Sequence, residues 1–210
     1  MIYIVRHGET AKNKAQVLQG RSNAPLNDAG RLQAAKVRDF FANAGIRFAK
    51  VYSSPLTRAV QTGEIIAEKS SPLTRAVQTG EIIAENVPVV TDDRLIEMDY
   101  GPYEGMDLNN PLPEVMEFFR DFVHNPAPKG MEQLSDVVAR TGEFLEEVRQ
   151  KAESGNILIS THAIAMKGAL EYLTPESKGA YWSKYIGNCA VYGVEVTADG
   201  WARPVFVYGG

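Results

Sequence analysis

Apolar residues in this chain follow two alternating rhythms. Short unbroken runs, Ile2-Tyr3-Ile4-Val5, Lys50-Val51-Tyr52, Val87 to Val90 and Asn156-Ile157-Leu158-Ile159-Ser160, are mostly β-branched or aromatic. Such runs predict strands, and the first and last have the composition of strands buried on both faces, as in a parallel sheet. Between them the spacing turns helical. Asp28 to Ala44 carries Leu32, Ala35, Phe40 and Phe41 near one face and closes at Gly45. Glu132 to Lys151 repeats Leu134, Val137, Val138, Thr141, Leu145 and Val148 at helical spacing, and Ala163 to Leu173 is a further helical run. The tail, Cys189 to Val196 and Pro204 to Tyr208 around Asp199-Gly200, predicts a hairpin that extends the sheet. Alternating strands and helices predict a three-layer α/β/α fold with a mainly parallel central sheet. At 210 residues and 44% hydrophobic content, one domain over residues 1–210 is expected.

The first run leads directly into Arg6-His7-Gly8-Glu9-Thr10. That puts His7 at a strand's C-terminal end, where open α/β sheets place their ligand crevice. Arg6 offers a planar fork suited to phosphate or carboxylate. A neighbouring positive charge disfavours the imidazolium, so His7 should present a free ring nitrogen near neutral pH, a competent nucleophile. His162 follows the strand Ile157 to Ser160 and repeats the same placement.

The segment Ser53 to Glu68 recurs unchanged from Ser70 to Glu85, 17 residues further on. Identity at every position marks a tandem duplication, with copies over 53–69 and 70–86, rather than a drifting structural repeat. The second copy cannot lengthen a helix begun by the first. At roughly 100° per residue it would be rotated by roughly 100°, and Pro72 would break the ladder. One copy is therefore an insert. In the first, Ser54 can cap a helix beginning at Pro55, which sets Arg58 near a helix N-terminus that favours anions. Arg58 is the expected occupant of the site, because it follows the apolar strand end Val51-Tyr52, with the second copy then a surplus helix-like excursion capped by Ser71; Arg75 takes its place if the second copy docks and the first is looped out.

The order of motifs carries a resemblance. Arg6-His7-Gly8-Glu9-Thr10 with Asn13, Gln19-Gly20, Pro25-Leu26, Ser53 to Ala59 with Gln61-Thr62, Leu95-Ile96-Glu97 with Gly101 and Glu104-Gly105, and finally His162 span nearly the whole chain. Together they resemble the histidine phosphatase superfamily, the phosphoglycerate mutase-like family. The resemblance implies that His7 attacks phosphorus to give a phosphohistidine. Arg6, Asn13, Arg58 and His162 would hold the phosphoryl oxygens, and Glu97 would be the proton donor. Glu97 sits in an acidic loop with Asp92, Asp93 and Asp99 that is otherwise expected to be solvated. The resemblance also implies that the aromatic, proline-bounded stretch Pro111 to Lys129 covers the catalytic face, making Tyr100, Tyr103, Phe118, Phe119 and Phe122 candidate pocket walls or plain packing. His124, in the same stretch, reads as structural or surface. No metal or other cofactor is needed, since cationic donors can neutralise a transferring phosphoryl group.

Charge and composition narrow the partners. A net charge of -4 and a pI near 5.5 give no electrostatic reason to expect nucleic acid. No basic leader or membrane-length apolar run is evident, so a cytoplasmic protein acting on a small phosphorylated metabolite, without membrane contact, is expected. The single cysteine, Cys189, reads as a small core residue. No Arg-Arg pair occurs, and between Met98 and Gly130 only Arg120 and Lys129 are basic. A phosphatase is therefore expected over a mutase. From another class, an anion-binding protein whose activity the duplication impairs remains the alternative.

Overall fold

The first apolar run shows how the layers are built. The computed structural model describes residues 1–68, 87–150, 155–198 and 200–209. The whole second copy, 70–86, including Ser71 and Arg75, and also Lys69, Lys151 and Asp199, lies outside the described residues. Strand β1 (Ile2–Arg6) sends Ile2 and Ile4 into one hydrophobic cluster and Tyr3 and Val5 into another. This is the period of two that an extended chain imposes. β2 (Phe48–Ser53), β3 (Val89–Thr91), β4 (Asn156–Thr161), β5 (Val191–Val194) and β8 (Val205–Tyr208) complete a six-stranded sheet in the order β3-β2-β4-β1-β5-β8. The neighbours from β3 to β1 pair in parallel; β5 is antiparallel to both β1 and β8. The tail is thus the expected extension of the sheet. β6 (Val196–Thr197) and β7 (Gly200–Trp201) form a separate two-stranded ribbon rather than lengthening the hairpin.

Helices cover both faces. After the short α1 (Ala11–Lys14), α2 (Asp28–Asn43) and α3 (Thr57–Ala67) pack Ala34, Val37, Phe41 and Ile66 over Tyr3, Val5, Val51 and Leu158. On the other face α5 (Leu134–Arg149) and α6 (Ala163–Leu173) pack Phe144, Leu145, Val148, Met166 and Leu170 over Ile2, Ile4, Ile157 and Ile159. The three-layer α/β/α expectation holds. At roughly 1.5–3 kcal/mol for each large apolar side chain buried, these two faces supply the main favourable term of folding. Between them, α4 (Pro113–Arg120) carries Val115 and Phe118 into a third cluster with Leu18, Met98, Tyr100 and Trp182.

Three local expectations are corrected. In α2 the buried stripe is Gly30, Ala34, Val37 and Phe41, whereas Leu32 is 59% exposed. Two residues along a helix amount to about 200°, so Leu32 points away from Ala34. Helix α3 starts at Thr57 with Leu56 at its N-cap, not at Pro55 behind a Ser54 cap. The Ser54 backbone N–H still bonds the Ser160 carbonyl at 3.0 Å, which keeps Ser54 on the sheet. Cys189 is a buried core residue as expected, but it precedes β5 in a left-handed conformation (φ 58°) rather than forming part of the strand. Burial pushes its thiol up to about 12, which removes it from nucleophilic chemistry.

The repeat resolves by topology. The first copy ends β2 and forms α3, the crossover between the parallel strands β2 and β3. Arg58 lies on this helix, which packs against the sheet, while the second copy, between α3 and β3 in the sequence, lies outside the described residues. No helix among the described residues is long and apolar enough to cross a membrane.

Candidate active site

Three neighbouring parallel strands deliver the site. β1 pairs with β4 through Arg6 and Thr161, and β4 pairs with β2 through Ser160 and Ser53. His7, His162 and Ser54 are the residues immediately after those pairs, so they meet above the sheet's C-terminal edge. The His7 N–H bonds the Thr161 carbonyl at 2.9 Å, and the two imidazoles pack edge to face with centroids 5.0 Å apart. Gly8 lets the chain turn there beside α2: a Cβ on it would lie 2.4 Å from the Gly30 carbonyl oxygen. The Gly8 N–H donates to the Thr62 hydroxyl, which donates to the Arg58 carbonyl, tying the histidine turn to α3.

His7 is oriented by two contacts. Its Nδ1 lies 2.7 Å from the Gly8 carbonyl, which can only accept, so Nδ1 carries the proton. Nε2 is then left with its lone pair, which receives the Arg58 Nε–H at 3.2 Å. Arg58 itself is wholly buried, and its terminal nitrogens donate to the Gly20 and Ser22 carbonyls at 2.6 and 2.8 Å. Those bonds fix the plane of the guanidinium. Burial lowers Arg58 to about 10, which leaves it cationic at neutral pH.

His162 lies 2.7 Å from the Ser54 hydroxyl through Nε2. Ser54 Oγ also accepts the Leu56 N–H and keeps a proton and a second lone pair for Nε2, so it can partner either tautomer, and the ring nitrogen facing away from it is Nδ1. That Nδ1 is buried with no partner among the described residues, as are Arg6 Nε and Gln19 Nε2. Of these residues, His162 packs on His7, and Arg6 and Gln19 border one cavity with it.

A cavity of about 210 Å³ opens over Arg6, His7, Asn13, Gln19 and Glu97, walled by Tyr100, Phe119 and Phe122 among others. Phe118 is instead core, and Tyr103 packs against the same cluster from outside it. Asn13 Oδ1 accepts the Thr10 N–H, and the Asn188 amide approaches it at 3.4 Å, so its own amide is the end left to donate. Glu97 accepts three backbone N–H groups: Met98 at 2.9 Å, Ala165 at 3.1 Å and Ile164 at 3.3 Å. Two of these belong to the first turn of α6, so the side chain caps that helix. His124 is exposed and paired with Asp121 at 2.7 Å, away from His7. Among the described residues no group of three or more His, Cys, Asp or Glu is placed to hold a metal ion.

Every expected site residue among those described thus occupies one locality, and Arg75 lies outside the described residues. Two contributors were not assigned roles from sequence. Gln19 was visible only as part of a motif, and Ser54 was read as a helix cap when its hydroxyl serves His162.

Burial first, then Arg58 and Arg6, holds His7 well below the ordinary imidazole range of 6.5; burial, then Arg58, His7 and Arg6, does the same for His162. Unfolded imidazoles take up protons near pH 6.5 while the folded ones stay neutral, so the unfolded state gains as pH falls. Stability should be fully present above that pH and decline below it by up to about 1.4 kcal/mol per pH unit for each histidine. Urea denaturation between pH 7.5 and 5 checks this: the double substitution His7→Asn, His162→Asn should flatten the slope, and an unchanged slope would refute the assignment.

Comparison with known proteins agrees with this geometry. The family described as the histidine phosphatase superfamily (branch 1) matches residues 2–70 and 69–206, the break falling within the repeated segment. Phosphoserine phosphatase 1 of Hydrogenobacter thermophilus is 29% identical over 185 residues, covering 87% of this chain and 80% of that protein. Broad-specificity phosphatase YOR283W of Saccharomyces cerevisiae is 30% identical over 183 residues, covering 86% and 73%. Among solved structures, Bacillus stearothermophilus YhfR superposes with a TM-score of 0.77 at 25% identity, covering 96% of this chain and 94% of that one.

Proposed function

The chain belongs to the histidine phosphatase superfamily, and from that membership we propose that it is a metal-independent, cytoplasmic phosphomonoesterase acting on a small phosphorylated metabolite through a phosphohistidine on His7. One observation carries this reading: His7, whose Nε2 is unprotonated, borders one cavity with Arg6 and Gln19 and packs on His162, and each of those three keeps a buried side-chain nitrogen without a partner among the described residues. Polar and cationic nitrogens of this kind suit a phosphoryl oxyanion.

In this mechanism the phosphoryl oxygens accept bonds from Arg6, Arg58, His162, Gln19 and the Asn13 amide. His7 Nε2 attacks phosphorus while the bond to the leaving oxygen breaks, and Glu97 gives that oxygen its proton. Water then donates a proton to Glu97 as its oxygen attacks phosphorus; the P–N bond breaks and His7 is restored. Two arginines meet the charge that metal ions neutralise in other phosphoryl-transfer sites.

Phosphate release from 4-nitrophenyl phosphate in the presence of EDTA tests the reading. Turnover is expected from this chain and from the same chain lacking Ser70 to Asn86, because the first copy supplies both α3 and Arg58. Loss of activity with chelator would overturn metal independence. Turnover by the shortened chain alone would support an anion-binding role for the full one.

A further inference from the structure

Glu97 lies in a stretch with no helix or strand of its own, between the short 3-10 helices Asp93–Leu95 and Gly101–Tyr103. Bonds from residues distant in sequence shape its main chain. The Thr161 hydroxyl donates to the Leu95 carbonyl at 2.7 Å. Arg140 Nη1 donates to the carbonyls of Arg94 and Ile96 at 2.8 and 2.6 Å. On the other side of Glu97, the Glu132 carboxylate accepts the Asp99 N–H at 3.1 Å, and the Glu132 N–H donates to the Asp99 carbonyl at 2.8 Å. The main chain is thus held both before and after Glu97.

The two holds are one unit. Arg140 Nε and Nη2 donate to Glu132 Oε1 and Oε2 at 2.8 and 3.2 Å, a paired fork that fixes the plane of the guanidinium. Both side chains are mostly buried, at 15% and 12% exposure. Arg140 belongs to α5, which packs Phe144, Leu145 and Val148 into the core over the sheet, so the pair ties the Glu97 stretch to a rigid element. Arg21 reaches Asp99 and Glu132 from the more exposed side and approaches the Glu97 carbonyl at 3.5 Å. A buried ion pair adds little stability over apolar residues of the same volume. Its fork does fix geometry, and the geometry fixed here is that of the main chain flanking the proton donor.

We propose that the Arg140–Glu132 pair positions Glu97 for proton transfer from its carboxyl to the departing oxygen, which makes Arg140 and Glu132 positioning residues for that step. The inference rests on the phosphomonoesterase reading. A general acid must lie within hydrogen-bond reach of the oxygen it protonates, and a displacement of about 1 Å costs up to about 10²-fold in rate.

The test compares kcat/KM for phenyl phosphate and 4-nitrophenyl phosphate, which share a ring but differ in how much the departing oxygen needs a proton. Arg140→Met should lower the value for phenyl phosphate about tenfold or more, and for 4-nitrophenyl phosphate less than about threefold. Arg140→Lys keeps a cation beside Glu132 without the fork. It should show the same selectivity to a smaller degree, and it decides alone if the methionine variant does not fold. Added to Glu97→Gln, Arg140→Met should cost phenyl phosphate little more, because both changes act on one step. Equal losses on the two esters overturn the proposal: that is the result of a general loosening of the site, or of an effect through His162, which the Arg140 charge also reaches behind burial, Arg58, His7 and Arg6. A full additional loss in the Glu97→Gln background overturns it too. If the unsubstituted protein releases phosphate from neither ester, the phosphatase reading fails and the inference falls with it. If both esters turn over but Glu97→Gln shows no dependence on the leaving oxygen, the phosphatase reading stands while Glu97 is no acid, and Arg140 has no such step to serve.

Discussion

His7→Ala should lower phosphate release about 10⁴-fold or more, the loss typical when a covalent nucleophile is removed from a site that otherwise survives. The survival is as important as the loss. Arg58 is fixed by the Gly20 and Ser22 carbonyls and His162 by Ser54, so neither depends on the His7 ring for its place. Inorganic phosphate should therefore still bind the variant, with its dissociation constant changed far less than kcat. With a ³²P-labelled substrate quenched in alkali, the unsubstituted protein should retain label that acid then releases, as a phosphohistidine requires, and the variant should retain none. Turnover within tenfold of the original, or label on the variant, would mean that phosphorus is attacked by something other than His7 Nε2.

How far this site could be read from sequence depended on whether a residue's setting is local. His7 and His162 each follow an apolar run directly, and a strand's end is legible from the run itself. Their adjacency needed β1 and β4 to pair, which the parallel-sheet composition suggested without specifying. Arg58 and Arg75 sit in identical copies, so only the flanking residues separate them: Val51-Tyr52 before the first copy can end a buried strand, and β2 does run into α3 there. Leu32 was misplaced because composition alone does not say which stripe of a helix faces the sheet, and the close contact of Gly30 with Glu9 sets that rotation. Gln19, Ser54 and Arg140 take their meaning from partners outside their own segments: Thr10 and an open cavity, His162, and the Ile96 carbonyl.

Glu97 shows the same dependence, and its substitution should give the second large effect. Glu97→Gln removes the transferable proton while keeping the shape, so hydrolysis of an alkyl ester such as glycerol 3-phosphate should fall about 10²–10⁴-fold, the range for losing a general acid. In kcat/KM, which reports phosphoryl transfer to His7 and not the later attack of water that Glu97 also assists, 4-nitrophenyl phosphate should lose less than about tenfold, since 4-nitrophenolate departs without being protonated. The carboxylate also has a structural task, which the experiment must separate. Its Oε1 accepts the Met98 and Ala165 N–H groups and its Oε2 the Ile164 N–H. A glutamine oriented with its oxygen at the first position keeps two of these three bonds and sets its amide against the longest of them. The variant should then be destabilised by about 1–3 kcal/mol, as for one unsatisfied buried group, yet remain folded. Misplacement of α6 by that conflict would shift His162 at its N-cap and penalise both esters alike. A loss in kcat/KM that grows with the basicity of the leaving oxygen comes from the missing proton, and an equal loss in kcat/KM on both esters would make Glu97 a helix cap and no acid.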